Sequence, residues 1–348
     1  MNTRGKANCL SSLLSGGPFL RYLLRISSLA LLLLLGSCAG NQRLQPERFI
    51  YSPYKHVNRF IGQGPPVIAW SARPYADLPR LGALTWAFAT GECGRETWGG
   101  IDADLFARAN VPMFQRAGVG YVVSTGGEGG LFTCATEAGM ELFIQRYASP
   151  LLRGLDFDIE GQQTPQQIDE LVQSLHAVRG RYPRLYFSFT LATHAAADGS
   201  RRSLNRLGET VLSAIRKVGL ENFRLNLMVM NYGPPQSMYC FTQGDACDMG
   251  HSAIQAAENV HLRYGVPYGQ IEVTAMLGEN DVAANVFTVG DAERLARFAR
   301  ERGLAGLHYW SLDRDVPCPP GVPRVSATCS GVSAATGAFA RAFAGALR

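Results

Sequence analysis

The densest chemistry in the chain lies in residues 154–160, which read GLDFDIE. Because alternate residues of a β-strand point to opposite faces, Asp156, Asp158 and Glu160 would share one face and apolar side chains the other. Half-buried carboxylates at this spacing repel one another, so at least one is expected to hold a proton near neutral pH. The row suits general acid catalysis by Glu160, the outermost of the three.

A divalent-cation site and a structural row neutralised by arginine partners are the alternatives. Hard cations usually collect oxygen ligands from several elements, and the sequence shows no second acidic cluster. Burying three neighbouring carboxylates costs stability, which disfavours a purely structural role. We therefore favour acid catalysis.

The elements that would position this strand recur along the chain. Eight short, apolar, β-rich segments alternate mostly with segments of helical spacing: 67–70, 83–89, 120–124, 154–160, 185–191, 225–232, 271–277 and 306–311. Eight such units in about 280 residues predict an α/β fold, a single closed (β/α)8 TIM barrel. An open doubly wound sheet is the alternative, but no Gly-rich dinucleotide fingerprint follows the first segment. Glu160 would end the fourth strand, at the face where such barrels have their active sites.

Composition narrows the class of protein further. The chain has 348 residues, of which 47% are hydrophobic and 18% charged, so it can bury a sizeable core. Four of the 33 basic residues and none of the 28 acidic residues precede residue 38, so the remainder carries a net charge of +1. A body so close to neutral has no electrostatic footprint for nucleic acid.

Residues 1–38 are predicted to be an export signal. A basic opening leads to the apolar run 29–35, which is too short to span a bilayer comfortably. The end of the segment, Leu35-Gly36-Ser37-Cys38, resembles a bacterial lipobox, which implies lipidation of Cys38. Because Ala39 stands where an inner-membrane retention signal usually has Asp, the resemblance favours an outer-membrane lipoprotein. The alternative is a signal cleaved near Ala39, which would leave the protein periplasmic or secreted.

Export changes the expected role of the cysteines. Six lie beyond the signal: Cys93, Cys134, Cys240, Cys247, Cys318 and Cys329. An even number in an oxidising compartment predicts disulfides. Proximity in sequence favours pairing Cys240 with Cys247 and Cys318 with Cys329, which leaves Cys93 for Cys134. No spacing matches a zinc site, so we expect no metal.

The acidic strand, Asp156-x-Asp158-x-Glu160, resembles the signature of glycoside hydrolase family 18, the chitinase family. Further matches occur in barrel order: Ser124-Thr125-Gly126-Gly127 is similar to the family's Ser-x-Gly-Gly motif, Met228-Val229-Met230-Asn231-Tyr232 to its sixth-strand motif, and Trp310 to its last-strand tryptophan. Residues 276–287 and 310–315 resemble a bacterial chitinase-like branch. The match runs from about residue 66 to the end, which implies a hydrolase domain at 66–348 and a tether at 39–65.

The resemblance implies retaining hydrolysis of β-1,4-linked N-acetylglucosamine, with the substrate's own acetamido group as the nucleophile and no cofactor. Glu160 would be the general acid and base, Asp158 would orient the acetamido group, and Asp156 would share a proton with Asp158. Tyr232 would donate its hydroxyl to the acetamido oxygen, and Trp310 would lie under the distorted sugar. The remaining implied substrate contacts are Met230, Asn231 and Gly127. Trp98, in the loop after the second strand, is a candidate for stacking on a further sugar.

Two departures from the family pattern affect the expected rate and specificity more than the reaction type. Arg153 stands where the longer signature often has Asp, and Tyr232 has Asn231 and Gly233 as neighbours in place of an acid. The alternative functions are an endo-β-N-acetylglucosaminidase acting on glycoprotein glycans and a non-catalytic chitooligosaccharide-binding lipoprotein. The expected partner is an N-acetylglucosamine-containing glycan bound by a monomer, with membrane contact only through the lipid anchor.

Overall fold

The computed structural model describes residues 49–57, 67–68 and 82–348. Eight strand positions form one sheet. The first, β1, consists of two short segments, Ile50–Tyr51 and Tyr54–His56; the others are Ala83–Ala89 (β2), Gly120–Gly126 (β3), Leu152–Ile159 (β4), Tyr186–Ala192 (β5), Phe223–Met228 (β6), Ile271–Met276 (β7) and Gly306–Trp310 (β8). Each strand pairs in parallel with the next, from β2 through to β8.

Closure of the sheet depends on β1. Its first segment pairs in parallel with β8 and its second with β2, so the two ends of the sheet belong to one stretch of chain. At the change of partner, Ser52 N–H donates to the Leu307 carbonyl, and the Pro53 carbonyl accepts from Thr85 N–H. The predicted closed barrel is therefore confirmed, and the open sheet is excluded.

Seven helices follow these strands within the described residues. They are Ala103–Ala117 (α1), Glu137–Arg146 (α2), Pro165–Arg179 (α3), Arg206–Val218 (α4), Met249–Tyr264 (α5), Val289–Arg302 (α6) and Ala338–Leu347 (α7). In α3, the Thr164 hydroxyl and the Gln167 side chain cap each other's backbone N–H groups, and Pro165 occupies the first turn. None of the described helices is both long and apolar enough to cross a membrane.

The strand that carries the acids alternates as predicted. Leu155, Phe157 and Ile159 are buried in the apolar core, while Asp156 and Asp158 belong to the opposite, interior face. In register, Asp156 lies beside Ser124 of β3 and Ser188 of β5, and Asp158 beside Gly126 and Thr190. The acids therefore meet small and hydroxylated side chains inside the barrel, where each hydroxyl can donate a hydrogen bond.

The predicted start of the barrel was wrong. Val67 and Ile68 lie outside any strand, residues 69–70 lie outside the described part of the chain, and the first strand is β1. Residues 49–57, assigned to the tether, therefore belong to the barrel domain. Pro53 explains the error, because it has no N–H and divides the strand into two pieces too short to show a clear alternation. The export signal and Cys38 lie outside the described residues.

The three disulfides join Cys93 to Cys134, Cys240 to Cys247 and Cys318 to Cys329, which confirms the pairing predicted from proximity. Each cysteine lies in a segment that follows a strand, at the C-terminal face of the barrel. The disulfides thus fix the loops that surround the mouth of the barrel rather than the opposite face.

Candidate active site

A cavity of about 540 Å³ opens at the C-terminal ends of the strands. Of the predicted site residues, it brings together Asp158, Glu160, Met230, Asn231 and Trp310. This volume lies in the range of pockets that bind small ligands. The cavity has both an acidic and an aromatic wall, a combination that suits a sugar with hydroxyl groups at its edge and an apolar face.

Asp156 lies at the base of the acidic wall and is satisfied by hydroxyl groups. Its carboxylate accepts hydrogen bonds from Tyr54 (2.8 Å), Ser124 (2.6 Å) and Thr190 (2.6 Å). Asn226 donates to both the Tyr54 and the Thr190 hydroxyl oxygens, at 2.9 and 2.8 Å, and so fixes two of these donors. Burial raises the pKa of Asp156, whereas the three donors lower it.

Asp158 hydrogen-bonds to Glu160. The pKa of Asp158 is well above its ordinary value because the side chain is buried and because Glu160 and Asp156 add negative charge nearby. Asp158 and Glu160 can therefore share one proton. Asp156 accepts its hydrogen bonds from three hydroxyls and Asp158 is hydrogen-bonded to Glu160, so the sharing of a proton between Asp156 and Asp158 stays a prediction.

Glu160 directly follows β4 and faces the solvent of the cavity. Its pKa is raised to about 7, first by desolvation against the cavity walls and then by the charges of Glu128 and Asp281, while the hydrogen bond from Asp158 lowers it. A carboxyl group with this pKa is partly protonated at neutral pH. It can both give up and accept a proton under those conditions, which general acid–base catalysis requires.

Asn231 holds Asp281 in this wall. The Asn231 amide donates to the Asp281 carboxylate at 2.7 Å and accepts the Asp281 N–H at 3.0 Å. Asn231 has a φ of 50°, a left-handed conformation that asparagine tolerates better than most residues. The predicted substrate contact therefore lines the cavity, and it also positions a neighbouring acid.

Trp310 forms the aromatic wall together with residues from the first two strands. Its ring stacks on Phe88 with centroids 5.6 Å apart, and the His56 ring lies 5.1 Å away. Tyr54 meets Trp310 edge-on at 6.2 Å while its hydroxyl binds Asp156. The indole is thus held rigidly from behind, and its position at the end of β8 exposes it to the cavity.

Three residues predicted to contact the substrate do not line the cavity: Trp98, Gly127 and Tyr232. Trp98 is fully buried, stacks on Phe106 at 4.2 Å and donates to the Tyr147 hydroxyl, so the predicted sugar stacking was wrong. Gly127 lies behind the wall, where an added Cβ would come within 2.5 Å of the Phe88 ring. Glycine is needed there for close packing rather than for contact with substrate.

Tyr232 is also buried and does not line the cavity. Its backbone N–H donates to Asn285, and its hydroxyl has no hydrogen-bond partner within the described part of the chain. Burial raises its pKa well above the ordinary value. Donation of this hydroxyl to a substrate acetamido group, as predicted, is not supported by this position.

The sequence analysis missed several residues of the site. Tyr54 and His56 lie in the segment assigned to the tether, and Asp281 lies in a loop far from the acidic strand in sequence. Residues 54–56 carry no clear alternation, because Pro53 divides the first strand into the short segments Ile50–Tyr51 and Tyr54–His56. Across residues 49–57, 67–68 and 82–348, no cluster of three or more His, Cys, Asp or Glu side chains could hold a metal ion.

A closed (β/α)8 barrel with paired carboxyls at the end of its fourth strand and a half-buried tryptophan at the end of its eighth has the fold of the chitinase family. Comparison with solved structures supports this class: the catalytic domain of a hyperthermophilic chitinase from Pyrococcus furiosus superposes with a TM-score of 0.66 and 26% identity, over 87% of this chain and 96% of that one. Mutants of the same Pyrococcus domain have been solved in complex with chito-oligosaccharides, with the same TM-score and identity.

Two curated proteins are similar in sequence. A probable bifunctional chitinase/lysozyme from Escherichia coli is 26% identical over 297 residues, which cover 73% of this chain and 32% of that protein. Endochitinase 11 from Metarhizium anisopliae is 26% identical over 294 residues, which cover 73% of this chain and 55% of that protein. The chain thus spans about a third to a half of the length of these relatives. No family model matches it.

Proposed function

We propose that the protein hydrolyses β-1,4-linked N-acetylglucosamine in chitin or chitooligosaccharides. The observation that carries this proposal is the Asp158–Glu160 pair, in which the pKa of Glu160 is raised to about 7, in the same cavity as the half-buried Trp310. The similarity to chitinases, among them a domain solved with chito-oligosaccharides, supports the same substrate class. The resemblance of residues 276–287 and 310–315 favours a bacterial chitinase-like branch.

In the proposed first step, Glu160 protonates the glycosidic oxygen as the bond to the anomeric carbon breaks. Asp158 holds the substrate's acetamido N–H, and the acetamido carbonyl oxygen attacks the anomeric carbon from the opposite side. Once the proton shared by Asp158 and Glu160 has passed to the glycosidic oxygen, the Asp158 carboxylate is ionised and stabilises the positive charge that develops on the resulting ring. Trp310 provides the flat surface on which the reacting sugar stacks.

In the second step, the Glu160 carboxylate takes a proton from water, and the resulting hydroxide attacks the anomeric carbon. The bond between that carbon and the acetamido oxygen breaks, its electron pair returns to the acetamido group, and the original configuration is restored. The proton balance closes, because Glu160 loses one proton in the first step and regains one in the second. Asp156, buried beneath and hydrogen-bonded by three hydroxyls, keeps negative charge near Asp158 and so maintains its raised pKa.

The test is product analysis with a ladder of chitooligosaccharides and the Glu160→Gln variant. We expect shorter products of retained anomeric configuration from the wild type, and a fall in kcat of about a thousandfold in the variant, because general acid catalysis typically contributes 10²- to 10⁴-fold. Glu301→Gln, the same change on the exposed side of α6, is the matched control and should keep full activity.

Four results would change the assignment. Equal turnover by the wild type and Glu160→Gln would remove Glu160 as the acid. Binding of oligosaccharides without cleavage by the wild type would favour the sugar-binding alternative. Cleavage of glycoprotein glycans, but not of the ladder, would favour an endo-β-N-acetylglucosaminidase. A chelator should leave the rate unchanged, and a loss of activity would return the acidic row to a metal-binding role.

We also propose that the protein is exported and anchored in the outer membrane through Cys38. Three disulfides suit an oxidising compartment. They are therefore evidence for export that does not depend on the signal sequence. Metabolic labelling with a fatty acid should mark the wild type and not Cys38→Ser. Equal labelling of both proteins, or export of the wild type without any label, would contradict the anchor, and the latter would favour a cleaved secretory signal.

A further inference from the structure

A second cavity, of about 520 Å³, adjoins the active-site cavity. The two share His194 and Asn205, which stand at the end of β5 and at the start of α4. A glycan that leaves the catalytic cavity on this side would therefore enter the second one directly. The His194 ring, 5.6 Å from that of Tyr239, lies at the junction.

The charges of the two cavities differ in sign. Among the described residues, the wall of the active-site cavity has four acids, Asp158, Glu160, Glu128 and Asp281, and no Lys or Arg. The second cavity has three arginines, Arg202, Arg206 and Arg263, against Asp198 and Glu209.

In the described part of the chain, two of these arginines have no carboxylate in direct contact, although the charge of Arg202 is close enough to Asp198 to lower the pKa of that acid. Arg263 pairs with Glu209 at 3.5 Å, and Asp198 accepts the Ser200 N–H. Within residues 49–57, 67–68 and 82–348, neither Arg202 nor Arg206 forms an ion pair. The guanidinium of Arg202 lies 5.7 Å from the centroid of the Tyr239 ring, beside the junction.

Arg202 lies in the loop before α4 and Arg206 in the first turn of α4, and backbone hydrogen bonds hold the loop in place. His194 N–H donates to the Ser203 carbonyl at 2.8 Å, and Ala195 N–H donates to the Tyr239 carbonyl at 2.7 Å, one residue before the Cys240–Cys247 disulfide. The buried Asn259 amide of α5 donates to the carbonyl of Ala196 at 2.9 Å. A site organised before the ligand arrives loses less entropy on binding.

We propose that the second cavity is a substrate subsite for a carboxylate-bearing sugar within an N-acetylglucosamine-containing polymer. This inference rests on the proposed hydrolase function and names a substrate class for it. The planar guanidinium group suits a carboxylate because it can donate two parallel hydrogen bonds. The acids of the first cavity repel the same substituent, so the charge contrast also sets which sugar of the chain occupies the catalytic position.

The test compares two soluble polymers with one backbone, carboxymethyl-chitin, which is anionic, and glycol chitin, which is neutral. We expect the wild type to have a higher kcat/KM for the anionic polymer at low ionic strength, and the preference to shrink as salt is added. In the double variant Arg202→Gln/Arg206→Gln, the ratio of kcat/KM for the anionic over the neutral polymer should fall about three- to tenfold, mostly through KM. The matched control is Arg116→Gln, on the exposed last turn of α1, and it should keep the wild-type ratio.

The outcomes separate this inference from the proposed function. If the wild type cuts glycol chitin but shows no salt-sensitive preference for the anionic polymer, or if the double variant keeps the wild-type ratio, the carboxylate subsite is wrong and the hydrolase stands. If the wild type cuts neither polymer nor the oligosaccharide ladder, the hydrolase function fails and the subsite with it.

Discussion

Two glutamates at opposite ends of the same barrel, the solvent-facing Glu160 and the fully buried Glu272, have opposite electrostatics. Glu160 follows the C-terminal end of β4, and its pKa is raised to about 7. Glu272 lies near the N-terminal end of β7, and its pKa is lowered to about 2. Burial alone would raise the pKa of both side chains, so the neighbours must account for the difference.

The neighbours of Glu272 are a cation and hydrogen-bond donors, whereas the neighbours of Glu160 are acids. Arg224 lies 2.7 Å from the Glu272 carboxylate, Ser188 donates to it at 2.6 Å, and His308 lies 3.6 Å away. Glu160 instead faces Asp158, Glu128 and Asp281. The neutralised carboxylate serves stability and the unneutralised one can hold a proton for chemistry, in agreement with the division of labour between the two faces of such barrels.

The largest expected effect is on the stability of the protein, through the ion pair between Arg224 and Glu272. Arg224→Met removes the cation and leaves the charge of Glu272 buried without compensation, which should lower the free energy of unfolding by about 3–5 kcal/mol. Urea denaturation at pH 7 would measure the change. A loss below about 1 kcal/mol would mean that Arg224 does not neutralise Glu272, and the contrast between the two ends would disappear.

At the other end, Asp158→Asn should lower kcat by about a hundredfold with little change in KM. The amide keeps the size of the side chain but neither the charge that stabilises the intermediate nor the proton shared with Glu160. Steady-state kinetics on chitooligosaccharides would measure both constants. An increase in KM with unchanged kcat would instead assign Asp158 to uniform substrate binding.

A smaller effect concerns the acids around Glu160. The proposed mechanism needs Glu160 protonated at the start, so kcat/KM should fall as pH rises through about 7. Removing a nearby negative charge lowers the pKa of Glu160 and moves this alkaline limb to lower pH. We expect a shift of about half a pH unit for Glu128→Gln and a smaller one for Asp281→Asn. A shift to higher pH in either variant would show that these acids do not act on Glu160 in this way.

Much of this comparison could be predicted from the sequence. The alternation in residues 154–160 placed Asp156 and Asp158 inside the barrel, because strand geometry fixes which face a side chain occupies. The alternation of strand faces could not predict the position of the Tyr232 side chain, because β6 ends at Met228 and Asn231 then turns the chain with a φ of 50°. The predicted strand ran to residue 232, but the strand in the structure ends at Met228. The alternation of strand faces therefore cannot say where the Tyr232 side chain points.

Neighbours that arrive from distant parts of the chain could not be predicted. Asp281 meets Glu160 only because Asn231 holds its loop in place, and Arg224 reaches Glu272 only because β6 and β7 pair in one register. Tyr54 was not predicted as a site residue for a different reason, namely that Pro53 divides its strand. Local pattern therefore gives the type and face of each acid, whereas its pKa depends on tertiary contacts.

The most direct test of the account is an NMR titration of the side-chain carboxyl carbons in ¹³C-glutamate-labelled protein. Glu160→Gln and Glu272→Gln would assign the two signals by their disappearance. We predict that Glu160 titrates near pH 7 and that Glu272 stays ionised down to about pH 2. Titration of Glu160 near its ordinary value of 4.5 would leave it without a proton at neutral pH and would contradict its role as the acid.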